Sequence, residues 1–147
     1  TPMSKNDHNI QMRLISVSEN SYKTDFSIIP NEIVPEELEV GFCNHIIPPT
    51  DGEDTIILDF GVRYCYLKEV CLDCNYKFTF EVIDLSKYIE TDQETIKISN
   101  IMPHLISVAI GTMRGILVIK TSGTKLSNYP IPMLDPNDLL KNLSKIQ

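Results

Sequence analysis

The sequence predicts an α+β fold: a four-stranded antiparallel sheet with meander or Greek-key-like connections, then a long packed helix and a short C-terminal helix. Three observations predict it. Apolar residues alternate with period two from Met12 to Asp84, and the period becomes helical after Ser99. Proline-bearing breaks separate the strand-like runs, first Pro30 and Pro35, then the turn Pro48-Pro49-Thr50-Asp51-Gly52.

The clearest strand ends at Val82. Val70, Leu72, Cys74, Tyr76, Phe78, Phe80 and Val82 fall on one face and Asp73, Asn75, Lys77, Thr79 and Glu81 on the other, because successive side chains of a strand alternate. Before it, Ile56, Leu58, Phe60, Val62, Tyr64 and Tyr66 share a face, so the two runs form a long hairpin. Their buried faces must coincide. Even-numbered residues therefore oppose even-numbered ones, and the turn holds an odd number of residues. Tyr66 opposite Val70 meets this with a three-residue turn, 67–69; it lacks the glycine such turns prefer, and a five-residue turn is the alternative. Residues 38–47 and the interrupted stretch 12–29 supply the other two strands.

Ser99 or Asn100 is positioned to cap the long helix, whose first turn tolerates Pro103 because that N–H is unpaired anyway. The helix runs to about Thr121. Ile101, Leu105, Val108, Ala109, Met113, Ile116 and Leu117 cover most of its circumference and leave a stripe of His104, Ser107, Gly111 and Arg114, which calls for burial on two sides. His104 and Arg114 also argue against a membrane span over 101–119. Ser107, Gly111 and Gly115 make a small-residue series at four-residue spacing that admits a second backbone, and each mid-helix glycine costs ~1 kcal/mol relative to alanine. These three and Arg114 are the expected oligomer interface. Gly123 ends the region, Pro130 and Pro132 force an extended crossing, and Asp135-Pro136 opens a final helix with Leu139, Leu143 and Ile146 on one face.

A chain of 147 residues suits a single domain, expected over 10–147 after a disordered segment 1–9 whose Thr1-Pro2-Met3 looks like a cloning remnant. With 42% hydrophobic and 22% charged residues, neither disorder nor membrane residence is indicated. Net charge is −10 over residues 1–97 and +3 over 98–147, and no basic cluster interleaves with aromatics, so a nucleic-acid partner is excluded. Four cysteines without an export signal point to reduced thiols and a cytoplasmic location. The Cys71-Leu72-Asp73-Cys74 motif reads as two strand thiols on opposite faces, unable to share a metal. His45 and His104 lack a catalytic or ligating context, and no nucleophile elbow or phosphate loop is present. No metal, cofactor or catalytic residue is expected; the reading is not an enzyme.

Local similarity follows this order of elements. Met102-Pro103-His104-Leu105-Ile106 through Thr112-Met113-Arg114-Gly115, then Asn128-Tyr129-Pro130-Ile131-Pro132, Leu134-Asp135-Pro136 and Leu139, resemble the long helix, crossing and last helix of the SecB family of protein-export chaperones. Phe78-Thr79-Phe80-Glu81-Val82 and Ile10-Gln11-Met12-Arg13-Leu14 resemble its fourth and first strands. The resemblance implies a cytoplasmic homotetramer, a dimer of dimers, that holds unfolded or pre-secretory polypeptides in apolar grooves without ATP. It implies that the SecA motor docks on acidic groups of the outer sheet face; Glu81 matches one, while Lys23 and Ser27 stand where others are expected. Apolar residues outside the core pattern, Ile28, Ile29, Phe42, Ile131, Met133 and Leu140, are the expected client contacts. Alternatives are a dedicated SecB-like chaperone of one partner such as a toxin–antitoxin component, an assembly adaptor, and, weakest, a hot-dog thioesterase.

Overall fold

The computed structural model describes residues 10–47, 53–88, 90–92, 95–97 and 101–134. Strands β1 (Met12–Thr24), β2 (Leu38–Ile47), β3 (Thr55–Tyr66) and β4 (Glu69–Val82) form one antiparallel sheet in the order β1-β4-β3-β2. Three consecutive strands run as a meander and β1 returns beside β4, a Greek-key arrangement that leaves β1 and β2 as edges. The helix α1 (Met102–Lys120) follows the strands. A small ladder of β5 (Glu90–Asp92) and β6 (Thr95–Lys97) precedes it. Three-residue strands carry too little alternation to be read from sequence.

The parity argument holds along the hairpin from Ile56 opposite Phe80 to Tyr64 opposite Leu72. It fails at the turn, which has two residues, not three or five. Tyr66 opposes Glu69, Cys65 opposes Val70, and Cys71 is the unpaired extra residue of a bulge. Leu67 (φ 51) and Lys68 (φ 69) both occupy the left-handed region, as the tightest hairpin turns demand. The bulge restores the alternation that a two-residue turn alone would have reversed. Its cost is that Val70 faces solvent and Cys71 turns inward.

Further bulges at Ile15 and Asn20 let β1 stay in register with β4, which explains its interrupted pattern. After β1, Asp25 caps a 3-10 turn, Phe26–Ile28, by accepting a hydrogen bond from Ser27 N–H at 3.1 Å.

The inner faces of β3 and β4 meet the inner stripe of α1, where Leu105, Ile106, Ala109, Ile110, Met113 and Leu117 are buried. The 19-residue helix is long and apolar enough to cross a membrane, and this stripe is the face it packs on the sheet. Pro103 sits in its first turn without a side-chain cap, and Thr121 closes it by donating from Oγ1 to Leu117 O at 2.7 Å. The expected caps Ser99 and Asn100, the segment 1–9 and the last helix from Asp135 lie outside the described residues.

Candidate functional site

Burial of the inner sheet face falls from centre to edge. On β3, Ile56, Leu58, Phe60, Val62, Tyr64 and Tyr66 are all buried, whereas Leu38, Val40, Phe42 and Ile46 of β2 are half-buried against them. The edge strand thus forms an apolar shelf. At its middle Phe42 packs on Phe60, ring centroids 6.0 Å apart. Beside the same edge a depression of about 300 Å³ is lined by Gly41, Phe42, Cys43, Gly61, Val62 and the Arg63–Asp73 ion pair; its odd-numbered lining residues belong to the outer face of the sheet, opposite the shelf. Two glycines open that space: Gly41 faces Arg63 across the ladder and Gly61 faces Cys43.

The sequence-predicted client contacts occupy different places. Phe42 lies on the shelf, Ile28 is half-buried on the 3-10 turn, and Met133 is 87% exposed beyond the crossing. Ile29 and Ile131 are not surface residues. At 1% and 2% exposure they complete the core, because neighbouring polar groups tie their backbones down. Lys125 Nζ donates to Ile29 O at 2.6 Å, and Arg114 donates through Nε to Ile131 O at 2.9 Å and through Nη2 to Pro132 O at 2.8 Å. Leu140 lies outside the described residues.

The crossing 122–134 is therefore a fixed strap. Tyr64 Oη donates to Tyr129 O at 2.8 Å, and burial, with Cys74 and Cys71 nearby, pushes this phenol up to about 12. Arg114, expected at an oligomer interface, is half-buried and spends two donors, Nε and Nη2, on the strap within its own chain. The other three interface candidates do share an exposed face. Ser107, Gly111 and Gly115 lie on it with His104, Val108 and Val118. A methyl group added at Gly111 or Gly115 would meet no atom of the described residues within 4 Å.

A polar cluster joins β1 to the end of the helix. Glu19 Oε1 accepts from Lys120 Nζ and from Tyr76 Oη, each at 2.7 Å, and Lys120 Nζ lies 4.5 Å from the Tyr22 ring centroid. Hydrogen bonding to Lys120 first, then to Tyr76, holds the Glu19 carboxyl below its ordinary value. The same bond raises Lys120, and burial, followed by Glu19, raises Tyr76. These shifts favour the charged forms of Glu19 and Lys120 and the neutral form of Tyr76. The Cys71-x-x-Cys74 thiols do not point to opposite faces as expected. The bulge turns Cys71 inward to join Cys74, both are buried, and burial pushes Cys74 up to about 11. Among the described residues no group of three His, Cys, Asp or Glu side chains could hold a metal. On the outer face, Glu81 is already engaged by Arg13 Nη2 at 3.2 Å.

No family model and no curated protein matches the chain. Among solved structures, it is similar to the Mycobacterium tuberculosis Rv1957 SecB-like chaperone, in complex with a ChAD peptide from the Rv1956 HigA1 antitoxin, with a TM-score of 0.55. The fold is SecB-like. The match spans 84% of this chain and 90% of that one at 11% identity, so the SecB-like likeness lies in the path of the backbone more than in retained side chains. On this SecB-like scaffold the sheet contributes the shelf and depression, and α1 contributes an uncovered face of small residues.

Proposed function

We propose that the protein is an ATP-independent holdase chaperone that takes unfolded, extended polypeptide along the β2 shelf. The observation that carries the reading is the half-buried apolar face of the edge strand β2, with Phe42 at its middle. An edge strand offers backbone groups to an extended chain, and an apolar face beside it takes the chain's alternate side chains. Backbone pairing is indifferent to client sequence, which suits many weak contacts spread over a long client. Nothing in the polar clusters supplies a nucleophile with a lowered pKa, and the reading is of a binding protein, not an enzyme.

Assembly is part of the proposal. Two glycines inside α1 each cost ~1 kcal/mol of helix stability, and neither is needed for packing against the described residues. Close approach of a second helix from another copy accounts for them and buries Val108 and Val118, giving a homo-oligomer built as a dimer of dimers. The free thiols Cys43, Cys65, Cys71 and Cys74 fit a reducing, cytoplasmic setting.

Suppression of aggregation of several unrelated denatured proteins, without nucleotide, is the expected result. Phe42→Ser should weaken that protection while leaving the oligomer intact. Loss of protection together with the oligomer would mean that Phe42 is structural and would sink the shelf assignment. A second reading is a dedicated chaperone of one partner, favoured by the antitoxin peptide held by the M. tuberculosis SecB-like protein. The engagement of Glu81 by Arg13, with Lys23 opposite Asp73 on the same face, favours it over export through SecA. Protection of one native partner and of no denatured model protein would decide for it.

A further inference from the structure

Segment 127–134 of the strap is held through its main chain and one side chain. Tyr64 Oη donates to Tyr129 O at 2.8 Å, and Arg114 donates to Ile131 O at 2.9 Å and to Pro132 O at 2.8 Å. Among the described residues, every hydrogen bond that the sheet or α1 makes to this segment therefore ends on a backbone carbonyl. Ile131 is its one buried side chain; Tyr129 is half-buried and the others are exposed. Pro130 and Pro132 have no N–H, so the segment cannot join a ladder as a regular strand. Every polypeptide offers carbonyls, and most offer a branched aliphatic side chain. The cradle thus recognises little that is particular to its own strap.

Exchange is favoured over simple opening. Tyr64 is 2% exposed and Arg114 is half-buried, so a departing strap strands their donors beside an emptied apolar hollow. Hydrogen bonds left unmade by such groups are costly. An incoming chain that presents carbonyls at the same spacing and one aliphatic anchor restores every lost contact. We propose that Tyr64, Arg114 and the hollow filled by Ile131 form a second peptide-binding site, which the strap occupies in the free protein and yields to an extended, apolar segment of an unfolded client. The root of the strap stays in place, because Leu126 is 1% exposed and Lys125 Nζ is bonded to Ile29 O at 2.6 Å. The inference rests on the holdase reading for the kind of ligand, while its residues are not those of the Phe42 shelf. A site filled by its own chain shows an affinity reduced by the fraction of molecules in which it is filled, so weakening the strap must strengthen the ligand.

The probe is a fluorescent peptide of the strap's own sequence, residues 127–134, added to the full chain and read by anisotropy, with its Ile131→Asp version as control. In the protein, Ile131→Ala loosens the strap and leaves the hollow open. Pro132→Gly loosens it without removing a buried side chain, by giving the free strap more conformations, and serves if the first variant does not fold. We expect affinity for the peptide to rise by roughly tenfold in Ile131→Ala and by about threefold in Pro132→Gly. The bound peptide should shift the amide NMR signals of Tyr64 and Arg114. In the wild type, a carboxymethylated, permanently unfolded protein should speed deuterium exchange at the Tyr129 amide, which donates to Leu126 O at 2.9 Å. Unchanged or weaker binding in the folded strap variants, shifts confined to Phe42 and its neighbours, equal binding of the aspartate peptide, or a Tyr129 amide that stays protected would each overturn the proposal. Larger particles in the variants would do so too, by showing straps traded between copies. Suppression of aggregation by the wild type without these gains would sink the cradle alone, and the gains without suppression would sink the holdase reading alone.

Discussion

Gly61 shows how much one hydrogen in place of a methyl group decides. A Cβ built there lies 2.6 Å from Cys43 Sγ and 3.4 Å from Cys74 O. Gly61→Ala should therefore destabilise the protein by ~1–3 kcal/mol in urea denaturation. Adding Cys43→Ala should recover most of that loss, since the sulfur is the nearest obstacle; additive costs would show that the backbone contact dominates. The thiols differ in the same local way. Cys43 is exposed and should react with iodoacetamide in the native state, while Cys74, its pKa pushed up to about 11 by burial, should be labelled only on unfolding, as mass spectrometry can read. Single residues were also where sequence reading was weakest. Ile29 and Ile131 looked like groove walls because both lie outside the alternating core pattern, yet Lys125 and Arg114 hold their carbonyls and both side chains are buried in the core. A long-range contact from a cation to a backbone carbonyl leaves no trace in local periodicity.

At the scale of elements, period-two alternation placed β2, β3 and most of β4 because each has one dry face. The two-residue turn was missed because its bulge at Cys71 cancels the parity signal that a turn of even length would have left. Strand β1 and helix α1 are coupled by charge, and the sign of that coupling is testable. Glu19 is held below its ordinary 4.5 by Lys120 and Tyr76, so its contribution to stability is fully present above that value and is lost as pH falls through the lower folded value. Lys120 is raised above its ordinary 10.5, so its contribution is fully present below that value and is lost as pH rises through the higher folded one. Melting temperatures across an acid series should fall more steeply for the wild type than for Glu19→Gln. Parallel curves would show that the cluster is formed equally in the unfolded chain.

For the whole molecule, the order of strands and helix was legible because each element has its own hydrophobic period, and the Greek-key return of β1 was one of two connections compatible with it. The candidate site was legible only at Phe42 and on the helix stripe, since an edge differs from a centre by what lies beside it and not by its own residues. The stripe yields the assembly test. With empty space around Gly111 inside the chain, Gly111→Leu should leave the protomer fold intact by circular dichroism while light scattering reports a smaller particle. An unchanged particle would place the interface elsewhere. The grading of burial from the dry middle strands to the half-wet margins has a further consequence for time scales. Amides of β3 and β4 should exchange with deuterium only when the whole domain opens, and those of β2 through local fraying at far lower free energy. The shelf can then yield to clients of different shape without loosening the strands behind it, so adaptability at the margin costs little of the stability of the centre.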